Sequence, residues 1–267
     1  MSAQLTILGC RAGAPGEGAA ASGYLLESAA GAALIDCGPG VVLSLSSRAN
    51  LPQLDAAVIS HRHADHCIDL LALAYMRRFP SPLPPLLLFG PPDLGAVLEG
   101  LDTLFGMPSL PSLASPLRDA FDFHPVAPGT SFRAAGLVLE TLAAHHPVPT
   151  LAMRWPELGL VYTSDGALTD ELVAFAAGAT VLLAEATYLR ADERDLVGHG
   201  HLTARQAGEL ANRAGVHHLV LTHLANMADA EEARRLCKEE FHRPLTIATP
   251  GCTILLGTHD TPAWRQS

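Results

Sequence analysis

The stretch "SHRHADHC", residues 60–67, packs three histidines and one aspartate into six positions. Their imidazole nitrogens and carboxylate are donors that suit zinc and also accept iron or manganese. The cluster follows "LDAAVISH" (54–61), an apolar run of buried-strand type. His61 and His63 alternate just past that strand, so both can point one way. Asp65 and His66 fall on the turn into the next element and form a second pair aimed elsewhere. A solvated histidine-rich turn is the plain alternative, but such a turn does not call for a buried strand leading straight into it. The chemistry expected here is metal-dependent hydrolysis, in which a cation supplies Lewis acidity and an activated water.

The elements needed to position such a site can be read on both sides of it. "QLTILGC" (4–10), "YLLES" (24–28) and "AALIDCG" (32–38) read as strands, the last two as a hairpin. "VVLSLSSRA" (41–49) reads as a helix after "GPG", and "CIDLLALAYMRRF" (67–79) as a helix ended by "PSPLPP". "LLLFG" (86–90) is a strand, 92–106 a helix, and the Pro/Ser-rich 107–116 an exposed loop. Three strands follow over 136–146, 150–155 and 158–166, then a helix over 168–178 and a strand over 180–188. "TARQAGELANRAG" (203–215) is an amphipathic helix with Thr203 as N-cap, followed by the strand "VHHLVLTHL" (216–224). A helix over 229–241 and the strands "TIAT" and "CTILLG" close the pattern. Strand-rich stretches at both ends with interleaved helices predict two sheets with helices outside, an α/β architecture. The polar clusters sit just after strands, where a rigid scaffold can gather them.

Bulk properties narrow the class. The chain has 267 residues, of which 49% are hydrophobic, enough for a sizeable core; we read 1–267 as one domain. A net charge of −10 opposes non-specific nucleic-acid binding, since no excess of Lys and Arg exists to displace counterions. A small anionic substrate is still allowed, because bound metal ions dominate the field inside a site. Five scattered cysteines (Cys10, Cys37, Cys67, Cys237 and Cys252) without a CxxC argue for reduced thiols. With no signal-like N-terminal segment and no apolar run of membrane-spanning length, the expected location is cytoplasmic.

The "HRHADH" segment resembles the first metal motif of the metallo-β-lactamase fold hydrolases, a four-layer αββα sandwich. Further pieces resemble that family in order: "HHPVPTLAMRW" (145–155), "VYTSDG" (161–166) and "LVLTHL" (219–224). The resemblance spans nearly the whole chain and implies a dinuclear site. His61, His63 and His146 would hold one divalent cation and Asp65, His66 and His223 the other, with Asp165 bridging. Zinc is the expected metal, with manganese or iron as alternatives. His146 is preferred over its neighbour His145, which would turn to the other face as a packed or supporting residue. "GHGHLTARQAGELANRAGVHHLVLTH" resembles a stretch of ribonuclease Z and its phosphodiesterase relatives. By that resemblance His201 is a catalytic residue that binds no metal, paired with Glu185 of "LLAEATY", and Asp65 joins them in the catalytic set. A carboxylate beside an imidazole equips it to protonate a leaving alkoxide. His199, His217, His218 and His242 read as loop, surface or packed residues. The glycine-bearing "GCRAGAP" resembles a loop near the substrate in the same relatives.

Two departures bear on substrate. The transfer-RNA-binding arm of ribonuclease Z lies between the Arg154-type strand and the next, where this chain has only "WPELGL" (155–160). "SDG" stands in place of the commoner "GDT". The expectation is therefore a small-molecule phosphodiester, such as a cyclic nucleotide, cleaved by a metal-bridging hydroxide. Transfer RNA and membranes are not expected partners, and a homodimer is compatible with the resemblance. The alternatives are a carbon-centred hydrolase acting on a lactone, thioester or β-lactam, and a non-catalytic metal-binding protein.

Overall fold

A computed structural model describes residues 3–48, 53–190, 196–257 and 264–265. Strands and helices are numbered along the chain. One nine-stranded sheet contains β1 (Ala3–Arg11), β2 (Ala20–Ala21), β3 (Gly23–Ser28), β4 (Gly31–Ile35), β5 (Ala56–Val58), β6 (Leu86–Gly90), β7 (Phe121–Pro125), β15 (Thr253–Leu256) and β16 (Trp264–Arg265). Its order is β16-β15-β1-β3-β4-β5-β6-β7, with β2 beside β1. The second sheet has seven strands: β8 (Ser131–Ala134), β9 (Leu137–Ala143), β10 (Leu151–Trp155), β11 (Leu160–Tyr162), β12 (Val181–Glu185), β13 (His218–Thr222) and β14 (Leu245–Ile247). Its order is β14-β13-β12-β11-β10-β9-β8.

Alternation along the strands explains why the sheets pack on both faces. Tyr24, Leu26, Ile35, Val58, Leu183 and Val220 join a core between the sheets. Their neighbours Leu25 and Leu34 turn outward under α1 (Val41–Ser46), α3 (Leu70–Arg78) and α4 (Leu94–Phe105). Leu182, Leu219 and Leu221 turn outward under α5 (Asp170–Phe175), α7 (Ala204–Arg213) and α8 (Ala230–Lys238). Successive side chains of a strand point to opposite faces, so near-continuous apolar strands feed two cores at once. The result is the expected four-layer αββα sandwich.

Most expected elements are present, with shifted ends. The helix read over 67–79 is split into α2 (Ala64–Cys67) and α3, and the one read over 41–49 ends at Ser46, its final residue Ala49 lying outside the described residues. The strand read over 136–146 stops at Ala143, so His145 and His146 lie in a turn before Pro147. His199 ends a short helix, α6 (Leu196–His199), rather than lying in a loop. The reading contained no strands at β7 and β8. Both are edge strands of only five and four residues, and the brief alternation of "FDFH" and "SFRA" does not stand out from the exposed segments around it. The loop at 107–116 is largely exposed but drops Leu113 into the core beneath it. All five cysteines are free and buried, and Cys67 lies 3.3 Å from the Arg62 carbonyl. Among the described residues no helix is long and apolar enough to cross a membrane.

The parallel strands β4, β5 and β6 of one sheet and β11, β12 and β13 of the other direct their carboxyl ends toward one shared rim. On the second sheet that rim is braced by α7. The Thr203 hydroxyl accepts the Gln206 N–H at 3.1 Å, and the Gln206 amide oxygen accepts the Thr203 N–H at 3.0 Å. Such a reciprocal cap satisfies two otherwise unpaired N–H groups. Thr203→Ala should lower stability by about 1 kcal/mol, read as a lower urea midpoint at unchanged slope.

Candidate metal centre

Each histidine of the rim arrives from a strand end. His61 follows β5, with its backbone locked by Leu151 N–H bonding to the Ser60 carbonyl at 3.0 Å. His63, Asp65 and His66 continue into α2. His146 follows β9, Asp165 follows β11, and His223 follows β13. The ligand atoms of His61, His63 and His146 lie within 4.8 Å of one another, as do those of Asp65, His66 and His223. Asp165 joins His61 and His66 in a third such group, its Oδ2 3.7 Å from His61 Nε2 and 3.3 Å from His66 Nε2. The seven residues expected to share two cations are thus brought to one place, with Asp165 between the two sets.

Outer hydrogen bonds decide which nitrogen of each ring faces inward. His146 Nδ1 lies 2.8 Å from the Gly200 carbonyl, which can only accept, so Nδ1 carries the proton and Nε2 is bare. That bare Nε2 faces His63 Nδ1 at 3.1 Å. His66 Nδ1 lies 2.8 Å from Asp36 Oδ2, which turns His66 Nε2 toward His223 Nε2 at 3.1 Å. His223 Nε2 is also 3.2 Å from Asp65 Oδ2. His61 Nε2 and Asp165 Oδ1 are buried with no hydrogen-bond partner. Buried polar atoms are almost always paired, so two orphans within one cluster of ligating groups want a ligand. Lone pairs and carboxylate oxygens converging in this way fit divalent cations of the zinc, manganese or iron kind. The backbone agrees: Asp36, Ser164 and His223 all hold left-handed φ values of 55°, 54° and 57°. Strain of about 1–3 kcal/mol per residue is usually kept where function needs it. Ser164 occupies the first position of "SDG", where glycine of the commoner "GDT" would be at ease.

The electrostatics favour the same use. Burial pushes His61, His63 and His146 below the ordinary imidazole range, keeping them neutral. Burial opposes ionisation of Asp165, but the charges of His223 and His66 hold its carboxyl well below the carboxylate range. Asp65 is likewise held down against burial, by its bond with His223 and the charges of His66 and His223. For His66, burial is outweighed by the carboxylates of Asp165 and Asp36, which raise it. A cation would take the place of that proton.

His201 and Glu185 sit beside the ligands. His201 Nδ1 is 3.1 Å from Glu185 Oε1 and 3.9 Å from Asp165 Oδ2. Burial lowers His201, but the bond to Glu185 and its charge raise it overall. Glu185 is fully buried and also accepts the Gly166 N–H at 2.8 Å, tying it to the Asp165 loop. His201 is held by a short bridge in which Tyr188 pairs with Thr203. The "GCRAGAP" loop also reaches the site: the Gly13 N–H donates to Asp65 Oδ2 at 2.7 Å.

Other readings are refined. His145 is exposed, not packed, while its carbonyl accepts the Ala167 N–H at 3.0 Å. His217 and His242 are exposed, and buried His218 pairs with Thr246 at 2.9 Å. Arg154 donates to the Phe175 carbonyl at 2.8 Å, away from the ligands. Sequence reasoning passed over Asp36. Its carboxylate is fully buried and takes bonds from Ser60 N–H, Ser60 hydroxyl, His66 and Tyr162 hydroxyl, at 2.7–2.9 Å. The available signal was an acid closing the apolar run "AALI", since buried carboxylates are rare unless paired.

Comparison with known proteins agrees with this architecture. Residues 33–224 match the model of the beta-lactamase superfamily domain, and the chain belongs to that superfamily. An uncharacterised protein of Mycobacterium tuberculosis is 33% identical over 253 residues, covering 92% of this chain and 89% of that one. The crystal structure of the metallo-beta-lactamase fold protein YhfI from Bacillus subtilis superposes with a TM-score of 0.80 at 28% identity, covering 95% of this chain and 99% of that one. Ribonuclease Z of Mycobacterium bovis is 28% identical over 264 residues, covering 89% of this chain and 92% of that one. The protein is thus a metallo-hydrolase of this superfamily.

Zinc bound by the folded state alone stabilises it in proportion to ligand excess, by about 4 kcal/mol at a thousandfold excess over Kd. Chelator-treated protein should therefore melt lower than the zinc-loaded form. His146→Ala and His223→Ala should each bind about one zinc fewer than the parent, measured by elemental analysis.

Proposed function

We propose that this protein is a dinuclear metal phosphodiesterase acting on a small phosphodiester such as a cyclic nucleotide. The observation that carries the reading is the His201–Glu185 pair, 3.1 Å apart, beside the ligand clusters. His61, His63 and His146 would hold one cation and Asp65, His66 and His223 the second, with Asp165 placed to serve both. When bound, the pair supplies Lewis acidity, activating water and withdrawing charge from the phosphoryl oxygens. His201, tied through Nδ1 to Glu185, presents Nε2 as the proton donor to the leaving oxygen. Glu185 steadies the protonated ring and fixes its direction. Asp65, held by the Gly13 N–H, doubles as ligand and as acceptor orienting the attacking water.

Two observations support a small substrate over transfer RNA. β10 and β11 are joined by a single turn, with Trp155 paired to Leu160, which leaves no room for an inserted arm. The chain carries a net charge of −10, unfavourable for a polyanion.

Leaving-group dependence tests the role of His201. A general acid contributes about 10²–10⁴-fold where the leaving group needs a proton. His201→Ala should lose that much on a 3′,5′-cyclic nucleotide, whose leaving group is an alkoxide. On bis(p-nitrophenyl) phosphate, whose leaving group is already a weak base, the loss should stay under about tenfold. Zinc content should be unchanged. Equal losses on both substrates would remove His201 from the role of proton donor, and a metal-loaded parent that cleaves lactones or thioesters and no phosphodiester would sink the reading in favour of a carbon-centred hydrolase.

A further inference from the structure

Thr187 has no place in the ligand set or the His201–Glu185 pair, yet its hydroxyl touches both. β12 and β13 run parallel with Glu185 level with Thr222, and the Ala186 N–H bonds to the Thr222 carbonyl at 2.9 Å. This register sets Thr187, two residues past Glu185, beside His223. The Thr187 Oγ1 lies 2.5 Å from Glu185 Oε2, 2.8 Å from His223 Nδ1 and 3.3 Å from His201 Nδ1.

A hydroxyl has one proton and two lone pairs. Glu185 Oε2 can only accept as a carboxylate, and it takes that proton across the short contact. The Thr187 oxygen is then left as an acceptor, and the N–H it accepts is that of His223 Nδ1. His201 Nδ1 is nearer to Glu185 and is served there, at 3.1 and 3.2 Å. We propose that Thr187 is a positioning residue. It accepts the Nδ1–H of His223, so that Nε2 is the nitrogen left to face a cation beside Asp65 and His66, and it ties that choice to the carboxylate that holds His201. One buried acid therefore orders two histidines with different tasks, His201 directly and His223 through one hydroxyl. The proposal rests on the metal-binding part of the function proposed above and on no particular substrate.

The test compares Thr187→Val, which keeps the shape and removes the hydroxyl, with Thr187→Ser, which keeps the hydroxyl. Zinc affinity is measured on metal-free protein by competition with a chromophoric chelator. Outer-shell partners of metal-binding histidines typically contribute about 10–100-fold in affinity. Thr187→Val should weaken one of two zinc ions by that factor and leave the other within about threefold, and Thr187→Ser should stay near the parent for both. A parent-like Thr187→Val overturns the proposal, as does a Thr187→Ser as weak as the valine variant, which would mean packing and not the hydroxyl. Nitrogen-15 NMR of the metal-free proteins supplies a second readout. The His223 ring should be protonated on Nδ1 in the parent and in Thr187→Ser, and lose that preference in Thr187→Val. If the valine variant misfolds, Thr187→Ala is read in its place. A parent that binds no zinc refutes the function proposed above. The NMR measurement still decides the role of Thr187, and a His223 with no proton on Nδ1 in the parent overturns it.

Discussion

The structure depends on the bonds made by the far side of each ligand ring. An imidazole offers a lone pair to a cation only if its other nitrogen holds the proton, and a neutral ring in water moves freely between the two forms. Here the Gly200 carbonyl settles His146, Asp36 settles His66, and the Ser60 hydroxyl stands 3.1 Å from His61 Nδ1. On the inner face the same rings stand close together, His66 Nε2 3.1 Å from His223 Nε2 and His146 Nε2 3.1 Å from His63 Nδ1. The outer partners thus decide which nitrogens are turned to that face.

That shell needs a rigid frame, because its members come from both sheets. The segment from His61 to His66 belongs to one sheet, whereas His146, Asp165, Glu185 and His223 belong to the other. Asp36 spans the divide by bonding Ser60 and His66 on its own sheet and Tyr162 on the opposite one. The frame must also hold three left-handed non-glycine residues at a cost of about 1–3 kcal/mol each. Each fully buried aliphatic or aromatic side chain contributes about 1.5–3 kcal/mol. A handful of inter-sheet residues such as Ile7, Leu26, Ile35, Met153 and Leu183 therefore offsets the strain, and the rest of that core keeps the rim from relaxing.

Legibility followed how locally each feature is encoded. "HRHADH" could be read because four donors fall within six residues, and its strand and helix bear the expected apolar patterns. Thr203 was readable as a cap for the same reason, since its partner lies three residues away. Asp36 and Thr187 were not, because their roles arise from register between segments far apart in sequence. Asp36 meets Tyr162 across 126 positions, and Thr187 meets His223 across 36. The preference for His146 over His145 came from family resemblance alone. The physical reason is the Gly200 carbonyl, supplied by a turn more than fifty residues downstream that no local pattern links to His146.

Gly200 also shows how His201 and the candidate metal ligand His146 are kept in one register. Its φ of 63° is a left-handed value, and a Cβ there would lie 2.7 Å from the His145 carbonyl and 2.8 Å from the His146 Cα. Only glycine lets the chain pass this close while its own carbonyl turns to His146. The next residue is His201, and two further on the Thr203 cap begins α7. One short segment therefore sets the inward face of a ligand histidine, delivers the imidazole paired with Glu185, and anchors both to a helix. A movement of this turn would disturb His146 and His201 together, so the spacing between these two histidines is built into the backbone, not left to side-chain rotamers.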